Sequence, residues 1–224
     1  MATRSRIVRA RLSIGAMSDG EWIRYAYELA RERGFTEAGA QMAVAQGWAE
    51  SSLGVRKPFL LPSGEPSFNW GATTAKSGVP YFGGGDTDAA GKPITQRWAK
   101  WSSMAEGLDY WLSFGSVKAG LRSMQEGDAT TYAAVIFDRG YYTGVNCDRE
   151  TCIKRYAVWL RDVARDKVAS ALGMPSLVSN AEPVPASTGG IKQGTLPQKQ
   201  KSGIGPVQIA VGTGLAYLAW KVLR

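Results

Sequence analysis

AQMAVAQGWAESSLG, residues 40–54, is a run of small and apolar side chains that carries a single carboxylate, Glu50, close to its C-terminal end. Its length and texture predict a buried helix, and Ser51, Ser52 and Gly54 predict its termination directly after Glu50. A carboxyl group at such a helix end projects into whatever lies beyond it. Apolar surroundings disfavour the ionised form and raise the pKa, which lets a glutamic acid keep its proton near neutral pH and act as a general acid. The plainer alternative is a glutamate in the last turn of an amphipathic helix, with its head in water.

Outward from this segment the chain reads as helical on both sides. Ser18-x-x-Glu21 is a capping box, Trp22, Tyr25, Ala26 and Leu29 recur at helical spacing, and Gly34 supplies a stop, predicting a helix over Asp19–Arg33. Thr36 then caps the Glu50 helix, with Phe35 just outside it. From Val55 to Thr95 the texture changes to prolines 58, 62, 66, 80 and 93 and the run Gly83-Gly84-Gly85. This predicts loops with a short hairpin, Val79–Phe82 against Lys92–Trp98. Helices resume at a second capping box, Ser103-x-x-Glu106, and run through about Phe114, then Val117–Gln125, Ala129–Phe137 and Arg149–Leu172, closed by Gly173 and Pro175.

Four segments, in order, carry a resemblance. Ala45-Gln46-Gly47-Trp48-Ala49-Glu50-Ser51-Ser52-Leu53-Gly54 resembles the A-Q-x-x-x-E-S-x-x-G signature of lysozyme-like peptidoglycan hydrolases, especially the N-acetylglucosaminidases of flagellar and autolysin type. Lytic transglycosylases share its Glu-Ser step. Phe68-Asn69-Trp70-Gly71-Ala72 is similar to the family's Asn-aromatic-Gly segment. Arg97-Trp98-Ala99-Lys100-Trp101-Ser102-Ser103, followed by Glu106, Asp109 and Tyr110, resembles its Arg-aromatic block. Gly140-Tyr141-Tyr142-Thr143, ahead of a helix containing Tyr156, resembles its G-Y-A-T segment. The matches span roughly Gly34–Leu160, and the ordered set is more specific than any member.

The resemblance implies a mainly α, lysozyme-like α+β fold in which the Pro- and Gly-rich stretch forms a small β-hairpin lobe along one wall of a cleft. It implies Glu50 as the acid and a second carboxylate from that lobe. Asp86 and Asp88, in GGGDTDAAGK, are the acidic residues available, and Asp88 is nearer the family's position ahead of Gly91. The family has glutamate there, and aspartate beside glycine is equally plain turn chemistry. Tyr141 is implied as a cleft-floor residue that orients a water or the substrate's N-acetyl group. Asn69 and Trp70 are expected to hydrogen-bond to and stack on sugar rings. Ser51, Asp86 and Tyr142, in or beside the matching segments, join them as expected substrate-binding residues, while Trp98 and Trp101 read as core.

Composition narrows the chemistry independently. The chain of 224 residues is 44% hydrophobic, enough for one domain with a real core plus appendages. Its formal net charge of +8 favours anionic partners such as nucleic acid, acidic lipid or cell-wall polymer, without choosing among them. Histidine is absent, which excludes Ser-His-Asp and Cys-His catalysis and the usual histidine zinc sites. Carboxylate chemistry remains, with no cofactor or metal implied.

The expected organisation is a basic arm over residues 1–17, a catalytic domain over 18–173, a flexible linker over 174–205 and an apolar helix over 206–224. The arm carries Arg4, Arg6, Arg9 and Arg11 without the apolar core of a secretory signal. With Asp148 as N-cap, Cys147 and Cys152 occupy the two staple positions, so they either close a small disulfide or pack as reduced thiols. The linker is rich in Pro, Ser, Gly, Lys and Gln. Pro206–Leu223 is apolar except for Gln208 and Lys221. As a helix it would be about 27 Å long, near the ~30 Å of a hydrocarbon core, and it reads as a membrane anchor or a partner-binding helix.

The functional expectation is a hydrolase of peptidoglycan glycan strands, an N-acetylglucosaminidase or muramidase, with peptidoglycan as partner and no nucleic acid. A lytic transglycosylase with a single catalytic glutamate is one alternative; a non-catalytic cell-wall or membrane-binding structural protein is another. A lytic domain with a basic arm and an apolar tail fits the cell envelope or a virion, with phage lysis or virion entry as the setting and virion proteins as further partners. That setting is an association, not a deduction.

Overall fold

The computed structural model describes residues 17–87, 92–142 and 147–179. Six helices and one hairpin follow in order: α1 (Asp19–Glu32), α2 (Glu37–Ser51), β1 (Tyr81–Thr87), β2 (Pro93–Ala99), α3 (Met104–Leu112), α4 (Gly115–Glu126), α5 (Ala129–Asp138) and α6 (Arg149–Val163). Helix α6 runs on through a π-helical turn, Ala164–Ala169, and a last turn, Ser170–Leu172. The fold is mainly α with a small two-stranded antiparallel sheet, the class expected from the sequence.

Helix α2 is the axis of the molecule. Thr36 caps it by accepting from Gly39 N, and every residue from Gly39 through Gly47 is buried. A helix apolar on all sides needs neighbours on all sides, and α1, α4 and α6 supply them. One continuous core runs through Trp22, Met42, Val44, Trp70, Leu108, Trp111, Ile136 and Leu160. Ser18 and Glu21 form the full capping box on α1. The second box differs in detail: Ser103 Oγ accepts from Glu106 N, but the Glu106 carboxylate reaches back to Ser102 N and Oγ.

The hairpin is longer than its sequence suggests. Tyr81 pairs with Ala99 and Thr87 with Pro93, so the glycine run expected in a loop lies within β1, and Asp86 sits in the strand opposite Ile94. The physical reason lies across the sheet. The Trp98 ring lies so close to Gly84 that a Cβ there would stand 2.7 Å from it, and the indole covers a strand with few side chains of its own. Phe59, Ala72, Phe82 and Trp98 form a second, smaller core at the hairpin's base.

The domain boundary expected at Gly173 falls too early. Gly173 does end the helix in a left-handed conformation (φ +68°), but the chain then turns back onto the domain. Gln41, fully buried, donates to Pro175 O (3.0 Å) and accepts from Leu177 N (2.7 Å). Val178 is buried, and Ser179 exchanges backbone hydrogen bonds with Gly127 and Ala129. A Pro- and Ser-containing stretch reads as linker, yet backbone pairing and one apolar anchor fix it. Asp148 caps α6 as expected, and of the two readings of Cys147 and Cys152 the structure has the disulfide, with Cα atoms 5.6 Å apart. Residues 1–16 and 180–224, hence the basic arm, most of the linker and Pro206–Leu223, lie outside the described residues. Among the described residues no helix is long and apolar enough to cross a membrane.

Candidate active site

Glu50 stands in the last turn of α2, half-buried, in a shell of neutral donors. Its Oε1 accepts from Gln46 Nε2 (3.1 Å), one turn earlier on the same helix, and from the Tyr156 hydroxyl of α6. Its Oε2 accepts from the Tyr141 hydroxyl at 2.9 Å, just after α5. Among the described residues no cation is paired with it. Burial pushes its carboxyl up to about 7, against the opposing pull of hydrogen bonds from Tyr156, Tyr141 and Gln46. Burial and the Glu50 charge hold Tyr141 and Tyr156 well above the ordinary phenol range, so both stay neutral.

Tyr141 can serve Glu50 in either protonation state. Its oxygen accepts from Trp111 Nε1 (2.9 Å) and lies 3.1 Å from Gly71 O as well as near Glu50 Oε2. Beside a carboxylate, the phenol proton points to Glu50. Beside a carboxylic acid, the acid's proton points to the phenol oxygen and the phenol's own proton turns to Gly71 O. One O–H donor and two lone pairs suffice for both arrangements.

The backbone around Glu50 is unusual. Ser52 (φ +48°), Leu53 (φ +58°), Phe68 (φ +51°) and Ala72 (φ +48°) are left-handed without being glycine. They flank the end of α2 and the 68–72 loop. Each such residue costs roughly 1–3 kcal/mol, and clustered strain of this kind is characteristic of sites whose geometry is imposed by function. Gly54 explains the last position of the signature: at φ +73°, a Cβ would meet Asn69 N at 2.1 Å. Gly71, also at φ +73°, leaves room for the Trp111 indole and the Tyr141 hydroxyl, which a Cβ would approach to 2.7 and 2.9 Å.

Of the residues read from the sequence, Glu50 and Tyr141 come together. Ser51 is buried; its Oγ donates to Gly47 O (3.0 Å) and accepts from Gly71 N (3.2 Å), tying the helix end to the loop that carries Tyr141's other acceptor. Asn69 and Trp70 correct the expectation of sugar contacts, since both are 0% exposed. Asn69 holds Thr73 and Ala99 through both ends of its amide, and Trp70 Nε1 donates to Ala43 O. Tyr142 is likewise support: its hydroxyl donates to Ala133 O and its ring stacks on Tyr156 at 4.2 Å. Asp86 lies in β1, paired with Ile94 of β2. Asp88 and Thr143 lie outside the described residues. Trp98 is core, as read, and Trp101 is partly buried against Tyr110.

Sequence reasoning quoted Gln46 and Tyr156 without giving them roles. Gln46 could have been found, because four residues before Glu50 places it on the same helix face. Trp111 and Tyr132 sit at ordinary core positions of α3 and α5 and give no such signal. A small cavity of about 40 Å³ reaches Tyr141 and is lined by Gly71, Thr73, Phe114, Ser116 and Arg139 among others. Among the described residues no cluster of three or more His, Cys, Asp or Glu could hold a metal ion.

No family model matches the chain, and no curated protein matches it. Among solved structures it is similar to the glycoside hydrolase domain from Salmonella typhimurium FlgJ. The two share 19% identity over 70% of this chain and 97% of that one, with a TM-score of 0.41.

Proposed function

We propose that this domain cleaves the glycan strands of peptidoglycan, with Glu50 delivering a proton to the leaving glycosidic oxygen. The observation that carries the reading is the Glu50 shell: a half-buried carboxyl, held by neutral donors, with its pKa pushed up to about 7. At neutral pH such a group is a substantial fraction protonated, and its conjugate base remains hydrogen-bonded after the proton has gone. The sugar-binding surface is the open side of Glu50. The oxocarbenium-like transition state requires either a second carboxylate across the bond or the substrate's own groups.

Two versions of this activity share the site. In a hydrolase, an N-acetylglucosaminidase or muramidase, the lobe supplies the second carboxylate, with Asp88 the candidate and Asp86 next to it. In a lytic transglycosylase, Glu50 acts first as acid and then as base on the sugar's own hydroxyl. The neutrality of every group hydrogen-bonded to Glu50 favours neither over the other. Product chemistry separates them: in purified peptidoglycan digested with the full chain, a hydrolase adds water and leaves new reducing ends, whereas the transglycosylase leaves 1,6-anhydro ends, which are non-reducing. New N-acetylglucosamine or N-acetylmuramic acid reducing ends, read by mass spectrometry, identify the bond. A digest that releases no fragments points to a cell-wall-binding structural protein and ends the enzymatic reading.

A further inference from the structure

We propose that Tyr132 is a positioning residue that acts on Glu50 through Gln46, fixing which end of the Gln46 amide faces the acid. The inference rests on the proton-donor reading of Glu50 and adds a second layer to its site. Tyr132, in α5, and Gln46, in α2, are both 0% exposed. The Tyr132 hydroxyl donates to Gln46 Oε1 at 2.6 Å, and Gln46 Nε2 donates to Glu50 Oε1 at 3.1 Å. A polar chain thus runs from the middle of the core to the candidate acid.

Hydrogen-bond accounting gives this chain a direction. A side-chain amide is a donor at one end and an acceptor at the other, and the two orientations nearly coincide in shape. A phenol proton needs an acceptor, and among the described residues Gln46 Oε1 is the one that Tyr132 has. Turning the amide would face an NH₂ group toward Tyr132 and leave a buried O–H with no acceptor, which is strongly disfavoured. Tyr132 therefore holds the NH₂ toward Glu50, where it donates to the carboxylate left behind after proton transfer. The ring alone does not require tyrosine: it packs against Gly120, where a Cβ would stand 2.6 Å away, and phenylalanine would fill the same space.

The groups that face Glu50 are few. Tyr141 reaches it from beyond α5, Tyr156 from α6 and Gln46 from its own helix, with the Tyr132 phenol behind Gln46. All are neutral at working pH, so a change in the amide's orientation is not masked by a nearby charge. Tyr132→Phe removes one oxygen, frees the amide to turn, and allows Gln46 Oε1 to accept a hydrogen bond from the neutral acid. The neutral form of Glu50 then gains a partner and the ionised form loses one.

The test is a titration of Glu50 in full-length protein labelled with ¹³C at the glutamate carboxyl, the resonance being assigned by its loss in Glu50→Gln. In Tyr132→Phe the midpoint should move up by about one pH unit. Gln46→Leu should move it the same way, and the double variant should match Gln46→Leu alone. A midpoint that stays in place in Tyr132→Phe, or a double variant that moves further than Gln46→Leu, overturns the relay. Should Tyr132→Phe fail to fold, Gln46→Leu carries the test, and an unmoved midpoint there overturns it equally. The titration needs no turnover, so a relay that stands in a protein releasing no glycan fragments separates failure of the enzymatic reading from failure of this one.

Discussion

Glu50 is held in a setting that suits its proton better than its charge, and this has a consequence for stability. Its pKa rises from 4.5 to about 7 on folding. The native state therefore binds this proton more tightly than the unfolded chain does, and the associated stability is fully present below pH 4.5. It falls as pH rises and is gone above about 7. A rise of this size corresponds to about 3 kcal/mol at most between the two limits. Glu50→Gln cannot ionise, so at pH 8 it should melt several degrees above the native protein, and at pH 4 the two should melt nearly together, as paired thermal scans would show. An equal offset at both values would mean that Glu50 carries no raised pKa. The two tyrosines should separate by denaturant unfolding. Tyr156→Phe removes a hydroxyl that donates to Glu50, whereas Tyr141→Phe also strands Trp111 Nε1 and Gly71 O. Tyr141→Phe should lose an additional ~1–3 kcal/mol by denaturant unfolding.

At the scale of elements, the end of α2 and the return of the chain after α6 make opposite points about strain and anchoring. Gly54→Ala forces a Cβ into Asn69 N at positive φ, and the loop bearing Asn69 must shift to admit it. It should destabilise by about 3 kcal/mol or more in urea, well above the ordinary surface substitution. A chain ending at residue 173 loses the Gln41 hydrogen bonds and buried Val178, whereas one ending at 179 keeps both. The shorter form should melt at least about 3 °C below the longer, consistent with ~1.5–3 kcal/mol for burying one valine. Four of the helices were legible from their caps, because Ser18, Thr36, Ser103 and Asp148 cap the helices the sequence assigns to them. The glycine strand and residues 174–179 were not, since their order comes from Trp98 across the sheet and from Gln41 far away in sequence, not from local propensity. The site divides the same way. Glu50 and Tyr141 were visible as motif residues, while Trp70 and Asn69 look like ligand contacts on paper because a buried aromatic and a loop-bracing amide have the same composition as a sugar subsite.

The whole molecule combines a single large core around α2 with a small second core at the base of the hairpin. Glu50 lies where the axial helix ends and the 68–72 loop crosses to the lobe, so its donors come from α2, α6 and the segment after α5. Beyond the described residues, we propose that Pro206–Leu223 anchors the chain to lipid: full-length protein should float with liposomes in high salt, while a form ending at residue 179 stays in solution. Full-length protein that remains lipid-free would remove the anchor. The central claim is tested most directly by the rate at which purified peptidoglycan is cleaved by Glu50→Gln relative to the native chain, both at pH 6. Loss of the proton donor should lower the rate by about 10²–10⁴-fold with the fold intact. A variant that retains more than about a tenth of native activity, equivalent to only ~1.4 kcal/mol of barrier, would contradict the assignment of Glu50 as the acid.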